Sequence, residues 1–202
     1  MKDIAKLGGI LMLVTVIAAA VLSGVNGLTR PLIEEQHRLA LERALTQALP
    51  DVDADLIEPI GNGDEPLYYV GYESPKKARI VGYAYVAKGK GYSSVIQTMV
   101  GVDTNMIVLG MKVLQQVETP GLGTKVEEIK HGESDPWFTR QFIGKQAESF
   151  AVDKDKGEID SITGATISSR ALTNSVVAGA KELQQNIKKA GGSATNENYL
   201  VF

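Results

Sequence analysis

Residues 7–29 contain no charged side chain: Leu-Gly-Gly-Ile-Leu-Met-Leu-Val-Thr-Val-Ile-Ala-Ala-Ala-Val-Leu-Ser-Gly-Val-Asn-Gly-Leu-Thr. A bilayer's hydrocarbon layer takes roughly 20 mostly apolar residues in helical form. The run meets that requirement as a single spanning helix. Lys2 and Lys6 precede it, and the positive-inside tendency places the N-terminus in the cytoplasm with the rest of the chain outside. Arg30, Arg38 and Arg43 oppose this bias from the far side. A cleavable signal peptide is the competing reading, because Ala18 and Ala20 form a small-residue pattern. The apolar stretch runs on past them, however, and is long for a signal core. A buried core helix would normally show a polar stripe. We therefore expect residues 1–30 to form a membrane anchor with a short cytoplasmic tail.

Beyond the anchor, Leu39, Leu41, Leu45 and Leu49 recur near helical spacing among charged residues, and Pro50 ends the pattern. Residues 51–66 are acidic and hold Gly61-Asn62-Gly63-Asp64. Residues 31–66 thus read as a stalk helix followed by a loop. Four segments rich in Val, Ile, Tyr and Thr follow, at 67–72, 80–87, 95–102 and 107–117. Lys88-Gly89-Lys90-Gly91 and Asp103-Thr104-Asn105 separate them as turns, and such short spacing implies antiparallel neighbours. Residues 136–144, around Trp137 and Phe138, suggest a short helix. Residues 168–189 suggest a longer one, with Leu172, Val176, Val177, Ala180 and Leu183 on one face. The expected architecture is α+β: one transmembrane helix, then a twisted antiparallel sheet with packed helices forming a domain over 67–190. The small, polar segment 191–202 is expected to be a disordered tail.

Composition removes several function classes. The chain has no cysteine, which excludes disulfide frameworks, Cys-ligated zinc and iron–sulfur clusters held by this chain alone. Its two histidines, His37 and His131, are far apart, so a histidine metal site is not expected. The net charge of −3 and the lack of a basic patch argue against nucleic-acid binding. Any redox chemistry therefore needs an organic carrier or a partner.

Two motifs carry chemistry. The first is Asp160-Ser161-Ile162-Thr163-Gly164-Ala165-Thr166, a turn of small residues ahead of the long helix. Gly164 permits positive φ and close backbone approach. Thr166 stands where hydroxyls usually cap free N–H groups, and where a phosphate would meet those donors and the positive end of the helix dipole. An ordinary helix cap explains the same residues. The second is Glu118-Thr119-Pro120-Gly121-Leu122-Gly123-Thr124-Lys125. Its glycines let backbone pass close to a flat ligand, its threonines can bond a ring's polar edge, and Lys125 could balance a phosphate or a reduced, anionic ring. A Pro-Gly turn closing a hairpin is the plain alternative.

Taken together, these segments resemble the FMN-binding domain of the G subunit of the Rnf complex, and of its relative, the C subunit of the sodium-pumping NADH:quinone oxidoreductase. The family's flavinylation signature, Asp-x-x-Ser/Thr-Gly-Ala-Thr, is matched by Asp160, Thr163, Gly164, Ala165 and Thr166. The Glu-Thr-Pro-Gly-Leu-Gly run and Trp137-Phe138 with Gln141-Phe142 and Lys145 match as well. The likeness covers residues 1–189, and the compact length fits the Rnf protein better. A protein of the same kind occurs in the related Rsx complex.

The resemblance implies that a flavin transferase places FMN covalently on Thr166 as a phosphoester. Asp160, Thr163, Gly164, Ala165 and Thr166 would then be the transferase recognition turn. Thr163, Gly164 and Ala165 would contact the cofactor, while Glu118, Thr119, Leu122, Gly123 and Thr124 would line its ring. It further implies an electron-transfer subunit, not catalytic alone, in an ion-translocating ferredoxin:NAD⁺ oxidoreductase. The main domain would be periplasmic or otherwise extracytoplasmic, beside other membrane and peripheral subunits. The alternatives are the equivalent quinone-reductase subunit, or a membrane-anchored assembly module in which Thr166 is only a cap.

Other features are assigned bland roles. Asp153-Lys154-Asp155-Lys156-Gly157-Glu158 starts like a calcium loop but lacks the later ligand positions. Tyr83, Tyr85 and Tyr92 could stack on a flavin but are expected instead to pack on a sheet face, and Trp137 is expected to anchor core rather than stack on a ring.

Overall fold

A computed structural model of the chain describes residues 2–61, 66–77 and 79–197. It divides after Leu41 into two compact units. One continuous helix, α1 (Lys2–Ala48), contains all of the described first unit and runs through Pro31. In that unit Ile10, Leu11, Val14, Ile17, Val21 and Leu28 are all exposed, an apolar surface that water would penalise and lipid would not. The hydroxyls of Thr15 and Thr29 donate back to the carbonyls of Leu11 (3.1 Å) and Val25 (3.0 Å), so they need no outside partner. Ion pairs resume at once beyond Thr29, with Arg30–Glu34 and Arg38–Glu35.

The second unit begins with the last turns of α1. A five-stranded antiparallel meander follows: β1 (Ile57–Ile60), β2 (Tyr68–Tyr72), β3 (Ile80–Lys90), β4 (Val95–Asp103) and β5 (Val108–Gln115). Alternation along β4 sends Ile96, Val100 and Val102 into the main core, where Tyr85, Ala87 and the buried stripe Leu172, Val176, Ala180, Leu183 of α3 (Thr166–Glu197) meet them. The Tyr85 hydroxyl donates to the Val176 carbonyl at 2.8 Å, which ties α3 to the sheet. A short helix, α2 (Trp137–Arg140), adds a chain of edge-to-face rings, Trp137–Phe138–Phe142–Phe150.

The opposite pleat of β4 and β5 carries Gly101 and Gly110, which are paired across the ladder. A Cβ at Gly101 would overlap the Ala48 carbonyl. Only glycine lets the buried end of α1, Ala44–Leu45 and Ala48–Leu49, lie directly on the strand backbones. The segment expected to be stalk and loop therefore contributes to the globular unit.

Several boundaries differ from expectation. β1 lies inside the presumed loop. β3 extends through Lys90, so the turn falls at residues 91–94, where the Gly91 amide donates to the Ser94 carbonyl at 2.8 Å. The long helix begins at Thr166 rather than Ser168 and continues to Glu197, past the expected domain edge at 190. Of the presumed tail, residues 198–202 lie outside the described residues.

Candidate functional site

The two motifs converge at the start of α3. Residues 160–165 form a turn held at Asp160, Ser161, Ile162 and Ala165. Gln141 holds the Asp160 backbone from both sides: its Oε1 accepts from the Asp160 amide at 2.8 Å, and its Nε2 donates to the Asp160 carbonyl at 3.2 Å. Asp153 accepts from the Ser161 amide at 3.1 Å, and the Ser169 hydroxyl accepts from the Ile162 amide at 3.0 Å. The Ala165 amide closes the turn onto the Ile162 carbonyl at 2.9 Å. Buried Ile162 anchors the turn, Thr163 and Gly164 are presented outward, and Gly164 takes φ +80°, where a side chain would be strained.

Ala165, not Thr166, is the residue that precedes the helix: its carbonyl accepts the first intrahelical bond, from the Ser169 amide at 3.0 Å. The amides of Thr166, Ile167 and Ser168 thus belong to the set that finds no intrahelical partner. Thr166 is the first helical residue and is half-buried. Its hydroxyl caps nothing, and among the described residues it has no hydrogen-bond partner.

The Pro-Gly segment packs against this turn. Leu122 reaches Gly164, where a Cβ would meet Leu122 Cδ2 at 3.1 Å, and Gly123 lies against Ser168. Between them opens a cleft of about 530 Å³ lined by Tyr92, Thr119, Leu122, Gly123, Gly164, Ala165, Thr166, Ile167 and Ser168. That volume falls in the small-molecule range of roughly 300–1,000 Å³. Tyr92, Leu122 and Ile167 present apolar surface to it while remaining 71%, 41% and 52% exposed.

Glu118 stands behind the cleft rather than in it, only 4% exposed. Its Oε2 accepts from the Tyr92 amide (3.0 Å) and the Ser168 hydroxyl (2.6 Å). Its Oε1 accepts from the amides of Ser93 (3.1 Å) and Ser94 (2.9 Å) and from the Ser94 hydroxyl (3.1 Å). Burial pushes this carboxyl up, but the donors from Ser168, Tyr92, Ser94 and Ser93 outweigh burial and hold it below its ordinary value.

The FMN-binding domain family matches residues 91–181 of the chain, and the RnfG N-terminal region matches residues 1–48. The G subunit of the ion-translocating oxidoreductase complex of Shewanella amazonensis is 34% identical, over 87% of this chain and 86% of that protein. The equivalent protein of Photorhabdus laumondii is 36% identical over 79% and 80%, and that of Escherichia coli K12 is 31% identical over 87% and 89%. The chain belongs to the family of G subunits of ion-translocating oxidoreductase complexes. As a member of that family, it is a redox subunit of a translocase complex with an FMN-binding domain, and the one long apolar helix among the described residues suits a membrane anchor.

The cleft suits FMN in two respects. Free amides at the start of a long helix suit a phosphate, and the Tyr92, Leu122 and Ile167 surfaces suit a flat ring. Among the described residues no lysine or arginine lines the cleft. Lys125, expected to balance charge, lies outside it, so amides and the helix dipole are left to carry that task.

Of the residues expected to line the ring in this G subunit, Thr119, Leu122 and Gly123 do line the cleft. Thr124 does not: its hydroxyl accepts from the Gly121 amide at 3.1 Å and shapes the loop. Thr163 and Asp160 lie on the displayed turn. Sequence reasoning missed Ile167 and Ser168, and ranked ring stacking by Tyr92 below sheet packing. Tyr92 was grouped with Tyr83 and Tyr85 as a strand residue, yet it follows the end of β3 and stands on the rim. The only signal in the sequence was Gly91 before it, marking the strand's end.

Proposed function

We propose that Thr166 carries FMN as a phosphoester and that this G subunit relays electrons outside the cytoplasm in an Rnf-type complex. That complex would move electrons between ferredoxin and NAD⁺ and couple the transfer to ion movement. The observation behind this reading is the Thr166 hydroxyl, unpartnered at the mouth of a ligand-sized cleft beside the free amides of α3. During maturation a flavin transferase would use FAD. The Thr166 Oγ1–phosphorus bond forms, the pyrophosphate bond of FAD breaks, AMP leaves, and the hydroxyl proton is released. Asp160, Thr163, Gly164 and Ala165 present the hydroxyl on a turn whose backbone is already fixed. Tyr92, Thr119, Leu122 and Ile167 hold the ring, and Ser168 closes the cleft floor. When bound, the flavin supplies the electron-carrying chemistry, and a covalent tether prevents its loss where no free flavin pool exists. Lys2 and Lys6 support a cytoplasmic N-terminus with the domain on the far side.

The test is co-expression with a flavin transferase, denaturation, and intact-mass and in-gel flavin fluorescence measurements. The wild-type chain should retain one FMN adduct and Thr166→Ala should retain none. Colour that washes out in denaturant would mean FMN held non-covalently, and a wild-type chain unmodified in its native membrane complex would favour the flavin-free assembly module.

A further inference from the structure

Glu118 accepts five donors, four from residues 92–94 and one from Ser168, and so joins the two walls of the cleft. One oxygen, Oε2, holds both the Tyr92 amide and the Ser168 hydroxyl. Both residues line the cleft, from the β3–β4 turn and from α3 respectively. The carboxylate therefore lies one residue behind the flavin site on two sides. Its surroundings are built around it. A Cβ at Gly91 would sit 2.5 Å from Glu118 Oε1, and a Cβ at Gly123 would sit 2.6 Å from Glu118 Cβ and 2.7 Å from the Ser168 hydroxyl. Two glycines thus leave room for one carboxylate, and among the described residues no cationic side chain donates to it or lines the cleft. Buried charge without a counter-ion is costly. Here amide and hydroxyl dipoles keep the charge in place without cancelling it at a distance.

We propose that Glu118 is a positioning residue for the flavin whose fixed negative charge, held between the two cleft walls, also lowers the cofactor's reduction potential. The inference rests on the reading of the cleft as a flavin site. Reduction adds negative charge to the ring. A buried carboxylate nearby opposes that addition. The cleft cannot relieve the opposition with a lysine or arginine, because none lines it.

The experiment uses the full chain, flavinylated by co-expression and confirmed by intact mass, with the two-electron midpoint potential measured by redox titration. Glu118→Gln removes the charge and should raise the potential. A roughly tenfold change in the reduction equilibrium, about 30 mV for a two-electron couple, is expected. Ser168→Ala keeps the charge but removes its shortest donor, and should move the potential the other way by a smaller amount. A purely structural clamp would not give opposite signs, since loosening the same joint from either side opens the same cleft. Melting temperature, read on the flavin-free chains, should fall for both variants and so separates loss of rigidity from change of charge. Opposite potential shifts support the proposal. Unmoved potentials, or shifts of the same sign, overturn it. If Glu118→Gln does not fold, Ser168→Ala decides alone: a downward shift supports, and no shift or an upward one overturns. A wild-type chain that takes no flavin ends the flavin reading and this inference together. Flavin present with unresponsive potentials ends this inference only.

Discussion

Two oxygens at the cleft stand in opposite conditions. The Glu118 carboxylate is buried and accepts five hydrogen bonds. The Thr166 hydroxyl, two residues before the Ser168 that serves Glu118, is half-buried and has no partner among the described residues. A folded domain satisfies its buried polar groups. Thr98 Oγ1 and Thr173 Oγ1 also lack partners but are buried; the Thr166 oxygen lines the cleft, where it is available for chemistry, and the saturated carboxylate nearby is scaffolding. On the proposed reading, the difference separates what holds the site from what reacts in it.

The largest break in this comparison comes from Glu118→Ala. It strands the buried Ser168 hydroxyl and the part-buried donors of Tyr92, Ser93 and Ser94, which face water in part. Each unmet buried donor carries a desolvation penalty of about 1–3 kcal/mol, partly recovered by water. We expect a loss of about 3 kcal/mol or more in the unfolding free energy of the detergent-purified chain, read by chemical denaturation. A loss under about 1 kcal/mol would mean that the clamp is a surface ornament.

Next in size is Gly123→Ala. The new Cβ meets Glu118 Cβ at 2.6 Å and Ser168 Oγ at 2.7 Å, so the loop or the helix start must shift. Overpacking of this kind costs about 1–3 kcal/mol, and the cleft should accept flavin poorly even where the chain still folds. Gly121→Ala is the contrast within the same loop. It has φ +73° but nothing within 4 Å of a Cβ. It bears backbone strain alone and should leave the cleft intact.

These two glycines show what was legible in the sequence. The second motif could be read as a glycine-rich approach to a ligand. The reason for Gly123 could not, because the crowding atoms come from Ser168, in a segment distant along the chain. Gly89 misled in the same way. It looked like a turn residue, but it lies within β3 because the Ala171 carbonyl of α3 occupies the place its Cβ would take. β1 was missed because Pro59 and Glu58 interrupt its apolar pattern. An edge strand tolerates that proline, whose missing N–H can face away from the ladder. The long strands, both main helices and the charge-free run were legible because their periodicity is a local property. The cleft's walls are not local: Tyr92, Leu122 and Ser168 meet only through tertiary packing. The turn 160–165 was legible as a turn, but its rigidity depends on Gln141, Asp153 and Ser169.

A smaller effect follows from acid. The hydrogen bonds to Glu118 depress its carboxyl below the ordinary value of 4.5. The group therefore contributes stability that is fully present above the unfolded-state value and is lost as pH falls through the lower folded-state value. The gap in melting temperature between wild type and Glu118→Gln should stay constant above about pH 5 and narrow below about pH 4.5. Asp153 and Asp155 are also held low, by Ser161 with Lys154 and by Arg170 respectively. They are exposed, so solvent screens their share. A gap that widens in acid would show that Glu118 is protonated in the folded chain, and the clamp would then need another description.

The smallest expected effect on stability belongs to Thr166→Val, which removes an oxygen at nearly constant shape. The residue is the first of α3, so its side chain is not the cap, and its hydroxyl accepts and donates nothing within the described residues. With no hydrogen bond to lose, the change in unfolding free energy should stay within about 0.5 kcal/mol. A β-branched residue at a helix start also loses little rotamer freedom relative to threonine. The same substitution should abolish covalent flavin completely, so one oxygen that counts for almost nothing in folding counts for everything in attachment. If Thr166→Val instead destabilised the flavin-free chain by more than about 1 kcal/mol, the hydroxyl would have a structural partner after all. Thr166 would then resemble Glu118, and the division between holding and reacting oxygens would fail at the residue on which it was built.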